Sequence, residues 1–337
     1  MDSQLVFLIG PPRSGSTLLT RMLGAHSAIV APPEPHLLTP LAHLGYYERV
    51  DQAPYDPVIS EAGIRELVAG LPRGEADYLD ALRAYTDTIY ERLLTGSGAQ
   101  LLLDKTPAYA LVLDFVTKLY PQARYVVLTR HPLAVWASVV GSFYDGDYAA
   151  AHAHNPILER YVPAIARFLR EAPVPLHALR YEQLVSAPRE TMEGLCGFLG
   201  IEFEEGMIEY GRSASGRAES VRGLGDPVTV AREQRPTTDQ VSRWTRDFAG
   251  DAAAIDQAQE ILARLLDEDL AIWGFDRAGI AAELAGIDRA GASRPRRPLT
   301  RYALERRLLV RLRRNIHRNA LGRLVRRVRR ACDVLLR

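Results

Sequence analysis

The chain has 337 residues, 47% of them hydrophobic and 25% charged. That is the balance of an ordinary globular protein, long enough for one large α/β domain with insertions or for two smaller domains. Two cysteines, Cys196 and Cys332, exclude a disulfide framework and fit a reducing compartment. No apolar run approaches the roughly 18 residues of a spanning helix.

The net charge of +1 hides an asymmetry. Residues 294–337 hold 16 arginines against Glu305 and Asp333, a net of +14, and residues 1–293 carry a net of −13. An acidic body with a basic tail bears on partners and surfaces rather than on fold. The first expected strand follows Met1 closely and leaves no room for a signal peptide, so the reading is cytoplasmic.

In chain order, Leu5–Ile9 is the first short apolar run and predicts a strand. Ser16–Ala25 predicts a helix after it. Residues 31–71 are proline-rich and poorly periodic, and read as an insertion. Asp77–Leu94 predicts a helix, Leu101–Asp104 a strand and Tyr125–Thr129 another. Pro132–Phe143 and Ile157–Glu171 predict helices, Pro173–Leu179 a weaker strand and Pro188–Leu199 a helix. Short Val/Ile/Leu runs alternating with helical patterns imply a parallel sheet covered on both faces. Residues 211–236 read as a long loop. Asp276–Pro298 reads as a linker before a basic helical tail over 299–337, whose apolar residues Leu308, Leu312, Ile316, Leu324 and Val328 share one face.

Between the first strand and helix lies GPPRSGST, Gly10–Thr17. It has the glycine spacing of a phosphate-binding loop, G-x-x-x-x-G-K-[ST]. A strand–glycine–helix turn aims backbone N–H groups and the helix dipole at one anion. Arg13, Ser14, Ser16 and Thr17 add donors around Gly15. Ser16 stands where the lysine of a nucleoside triphosphatase would reach the β- and γ-phosphates, which argues against a γ-phosphate ligand. A sulfuryl group on a 5′-phosphate carries less terminal charge and needs no bridging metal. LLLD, ending at Asp104, could also be read as the magnesium-holding strand of a P-loop enzyme.

PPRSGSTLL resembles the 5′-phosphosulfate loop of sulfotransferases that use 3′-phosphoadenosine 5′-phosphosulfate (PAPS). The resemblance implies a P-loop-like parallel sheet flanked by helices, with 3′-phosphoadenosine 5′-phosphate (PAP) as product and no metal. It extends to RHPLAVWAS, where Arg130 and Ser138 match the family's 3′-phosphate pair. In DKTP, Lys105 matches the lysine that faces the transferring group. PPEPHLL resembles a stretch in the sulfotransferase domains of bacterial polyketide synthases. There Glu34 matches the base that takes the acceptor's proton, and His36 is a second base candidate. LRYEQL implies that Tyr181 lies near the nucleotide. RGLGDP resembles the late loop over adenosine and implies contacts to the 3′-phosphate from Arg222 and Gly223.

Leu37, Leu38, Tyr46, Tyr47, Tyr55, Phe143, Tyr144 and Tyr148 point to a partly apolar acceptor pocket. A lipid-like, acyl, polyketide or aromatic hydroxyl suits it better than a bare sugar. The arginine-rich tail points to an anionic membrane surface or an acidic carrier protein. No nucleic-acid motif accompanies it. The competing readings are an ATP- and magnesium-dependent P-loop kinase, and a catalytically dead nucleotide fold that binds membranes or carriers.

Overall fold

LVFLI forms the central strand of the sheet, β1 (Leu5–Ile9), with every residue 0–1% exposed. The computed structural model describes residues 1–47, 57–144, 146–212 and 233–290, with residues 57–60 and 212 as backbone alone. Arg222, Gly223, Tyr55 and the basic tail therefore lie outside the described residues.

Four more strands follow in the chain: β2 (Ile29–Val30), β3 (Leu101–Asp104), β4 (Arg124–Thr129) and β5 (Leu176–Arg180). They form one parallel sheet in the order β2-β3-β1-β4-β5. Strands covered on both faces can be apolar throughout, as β1 is, and β3 and β4 are apolar apart from their end residues Asp104, Arg124 and Thr129. The helices are α1 (Ser16–Gly24), α2 (Leu38–Ala42), α3 (Pro57–Ala69), α4 (Glu75–Ser97), α5 (Leu113–Leu119), α6 (Pro132–Phe143) and α7 (Tyr148–His154). They continue with α8 (Ile157–Glu171), α9 (Tyr181–Ser186), α10 (Pro188–Leu199), α11 (Arg243–Phe248), α12 (Ala252–Arg264), α13 (Asp267–Trp273) and α14 (Arg277–Ala285).

The chain divides into two compact units. Of the described residues, the first holds 1–47, 57–131, 164–212, 233–239 and 272–274, and with them the whole sheet. Its core is aromatic beside β1: the Phe7 ring lies 5.3 Å from that of Tyr125 and 5.7 Å from that of Tyr120. Of the described residues, the second holds 132–144, 146–163, 240–271 and 275–290. In it Trp136, Tyr148 and Phe248 pack together, with centroids 4.8–5.8 Å apart.

The expected strand β3 and helices α6, α8 and α10 match their predicted bounds. The strand expected over Pro173–Leu179 is β5, which starts three residues later, at Leu176. The insertion is partly helical, carrying α2 and α3. The segment read as a linker carries α14, whose N-cap Asp276 accepts from the Gly279 N–H at 2.7 Å. Tyr148, read as a pocket residue, is 5% exposed and is core in the second unit.

The order 2-3-1-4-5 sends the chain leftward after β1 and rightward into β4. The switch point lies between these strands, and in open α/β sheets ligands bind there, at the carboxyl ends. Gly10, Lys105, Arg130 and Tyr181 are each the first residue after a strand: β1, β3, β4 and β5 respectively.

Candidate active site

The loop after β1 is built around two left-handed residues. Arg13 has φ 70° and Gly15 has φ 97°. A left-handed non-glycine costs of order 1–3 kcal/mol and is found at functional sites. At Gly15 only glycine fits, because a Cβ there would also collide with the Tyr181 ring. Gly15 precedes α1 without any side-chain cap, so the first N–H groups of the helix are available to an anion. Ser14 is fully buried, and its Oγ has no hydrogen-bond partner among the described residues.

Arg130 joins the loops after β1 and β4. Its Nη1 donates to the Arg13 carbonyl at 3.0 Å, and its guanidinium lies 4.3 Å from the centre of the Tyr181 ring. The Trp273 indole donates to the Arg130 carbonyl at 2.8 Å. Glu182, beside Tyr181, accepts from the His131 N–H at 2.9 Å. Burial, together with the Arg130 charge, pushes the His131 imidazole down to about 4, so it is neutral near pH 7. Ser138 lies on α6, in the second unit.

Lys105 and Glu34 form an ion pair at the end of β3. Their side chains are 5% and 13% exposed. The other Glu34 oxygen lies 3.4 Å from Nε2 of His36, whose side chain is 44% exposed. One carboxylate thus sits between an ammonium and an imidazole. His36 holds φ 49°, and its N–H donates to Thr106 Oγ1 at 3.3 Å.

Asp104 is 1% exposed and accepts from Tyr90, Tyr109 and Thr106. Burial raises its carboxyl to about 6, against the pull of those hydroxyls and of Lys105. With its oxygens committed to three hydroxyls, it is arranged as a structural anchor, which weakens the magnesium-holding reading of LLLD.

The family model described as "Sulfotransferase family" matches residues 5–205. The chain belongs to the sulfotransferase family. Nodulation protein NoeE of Sinorhizobium fredii is 32% identical over 217 residues, covering 59% of this chain and 50% of NoeE. Protein-tyrosine sulfotransferase 1 of Danio rerio is 25% identical over 244 residues, covering 71% and 62%. The chain thus spans about half to three-fifths of the length of these curated relatives. The solved sulfotransferase domain of the Synechococcus PCC 7002 olefin synthase superposes with a TM-score of 0.51 at 27% identity, covering 78% of this chain and 95% of that one.

Arg13, Ser14, Gly15, Ser16, Thr17, Arg130 and Tyr181 surround the ends of β1 and β4, and Glu34, His36 and Lys105 meet at β3. Thr106, Tyr109 and Glu182 have no distinguishing signal of their own. Only Thr106 and Glu182 sit inside motifs, as neighbours of Lys105 and Tyr181.

Proposed function

We propose that this sulfotransferase takes its sulfuryl group from PAPS and passes it in line to a hydroxyl of an acyl, polyketide, lipid-like or aromatic acceptor, with no metal. The observation that carries the reading is the meeting of Lys105, Glu34 and His36 at the end of β3.

The loop fits the 5′ end of the donor on three counts: the uncapped N-terminus of α1, the buried Ser14 Oγ without a partner, and the space over Gly15 that a Cβ would close. PAPS would supply an already activated sulfuryl group. Arg13 and the loop N–H groups hold the 5′ end. Arg130 holds the 3′-phosphate. The role of Ser138 rests on the R-x₇-S spacing, and those of Arg222 and Gly223 on the motif alone. Lys105 places a fixed ammonium where negative charge grows on the leaving oxygen, which lowers the barrier. Glu34, with His36 against its second oxygen, takes the acceptor's proton.

A protein-tyrosine sulfotransferase and an olefin synthase domain among the similar proteins support aromatic and aliphatic acceptors respectively. The +14 charge of residues 294–337 supports a cytoplasmic enzyme held peripherally at an anionic membrane or beside an acidic carrier. Among the described residues, no helix is long and apolar enough to cross a membrane.

Calorimetry tests the donor without the acceptor. PAP should bind without magnesium and more tightly than AMP or ATP. Magnesium-dependent preference for ATP would replace this reading with the kinase. Tight PAP binding with no transfer to any acceptor class would leave a dead nucleotide fold.

A further inference from the structure

The carboxylate that ends β3 takes no part in the chemistry above, yet two stretches of the site hang from it. Tyr90 of α4 donates to Asp104 Oδ2 at 2.6 Å, Tyr109 donates to the same oxygen at 3.0 Å, and Thr106 donates to Oδ1 at 3.3 Å. A hydroxyl has one proton and two lone pairs. Once Thr106 and Tyr109 give their protons to Asp104, they face the rest of the site as acceptors only.

Two backbone N–H groups meet those acceptors. His36 N–H donates to Thr106 Oγ1 at 3.3 Å, and Leu38 N–H donates to Tyr109 Oη at 3.1 Å. Both belong to the loop that carries Glu34. The loop needs such ties: His36 is left-handed, and α2 starts at Leu38 with no side-chain cap from Leu37. Tyr109 takes the place of that cap. Tyr90 differs from the other two, since its hydroxyl reaches Asp104 and has no bond to the loop among the described hydrogen bonds.

We propose that Asp104 is a positioning residue for the base: by orienting the Thr106 and Tyr109 hydroxyls, it fixes the backbone at His36 and Leu38 and so holds Glu34 and His36 in register with Lys105. This rests on the reading of Glu34 or His36 as the base. A base displaced by about 1 Å can lose a hundredfold in rate, so a strained loop beside the reacting atoms needs anchoring to a buried group.

The test uses the full chain with Thr106→Val, Thr106→Ser, Tyr109→Phe and Tyr90→Phe. Amide hydrogen exchange is read without nucleotide and needs no acceptor. Each lost bond is worth about a tenfold change in exchange. Thr106→Val should expose the His36 amide and Tyr109→Phe the Leu38 amide, whereas Tyr90→Phe should leave both protected. Turnover is then read with PAPS on a hydroxyacyl pantetheine and on a tyrosine peptide. With the acceptor that reacts, Thr106→Val and Tyr109→Phe should lower kcat by about ten- to a hundredfold. The KM for PAPS and the PAP affinity should stay put. Thr106→Ser should restore the rate, and Tyr90→Phe should cost stability but not kcat.

Wild-type amide protection in Thr106→Val and Tyr109→Phe overturns the proposal. So does an equal loss of kcat in Tyr90→Phe, which would make the network merely structural. Glu34→Gln and His36→Ala are measured alongside. If both turn over at the wild-type rate, the base reading fails and this inference fails with it. If Glu34→Gln is slow while Thr106→Val and Tyr109→Phe are fast, the positioning role alone is wrong.

Discussion

Lys105 and Glu34, 71 residues apart in the chain, neutralise one another at the carboxyl end of β3. Each is the other's compensation for leaving water. Removing one partner of a buried pair strands the second charge and typically costs 3–5 kcal/mol. Because Glu34 keeps 13% exposure, Lys105→Met should cost roughly 3 kcal/mol, near the low end of that range. The double variant Lys105→Met, Glu34→Leu should be more stable than the single Lys105→Met. Urea denaturation of the wild type, Lys105→Met, Glu34→Leu and the double variant checks this, and strictly additive losses would refute the coupling.

The base assignment gives a rate prediction. Glu34→Gln and His36→Ala should leave PAP affinity nearly intact, since neither belongs to the loop after β1. At least one should lower turnover by the roughly 10²–10⁴-fold that general-base removal costs. Wild-type rates in both would place the base elsewhere.

Arg130 offers a separable test of the second anion site. Arg130→Ala removes both its bond to the Arg13 carbonyl and its stacking on Tyr181, so some affinity for AMP should fall with the loop. The ratio of PAP to AMP affinity isolates the 3′-phosphate. It should shrink by the roughly 1.5–3 kcal/mol of a charged hydrogen bond. A ratio equal to that of the wild type would remove Arg130 from the 3′ site.

His131 sets a pH limb. Its folded value of about 4 lies below the ordinary 6.5 because burial penalises the cation. The unfolded chain therefore binds the proton first. The neutral imidazole's contribution is complete above pH 6.5 and is lost as the pH falls towards 4. The gap corresponds to roughly 3 kcal/mol. His131→Gln should lose less stability than the wild type between those pH values in thermal melts. Parallel curves would show that His131 does not titrate on unfolding.

The tail is tested by truncation. Removing residues 299–337 should spare PAP binding, because every described donor residue precedes it. It should abolish sedimentation with anionic vesicles, to which each arginine near the surface contributes about 1 kcal/mol. Added salt should weaken the binding of the full chain. An insoluble or much less stable truncated protein would show that the tail belongs to the core.

The strand-end motifs were legible because each directly follows a run of apolar residues. In a parallel sheet such runs must be buried on both faces, and their carboxyl ends must lie together. The sequence by itself therefore determined four of the five strands, and with them the places of the Gly10–Thr17 loop, Lys105, Arg130 and Tyr181 directly after strand ends. Short helices such as α5 and α7 were not legible, since seven residues barely complete two turns of the helical period. What only the tertiary structure decided was pairing. Glu34 finds Lys105 because the sheet order seats β3 between β2 and β1, out of chain order. Asp104, apart from its neighbour Lys105 in sequence terms a candidate magnesium ligand, becomes an anchor because Tyr90 and Tyr109 arrive on separate elements. A hydrogen bond belongs to whichever partner lies within about 3 Å, and linear order does not carry that distance.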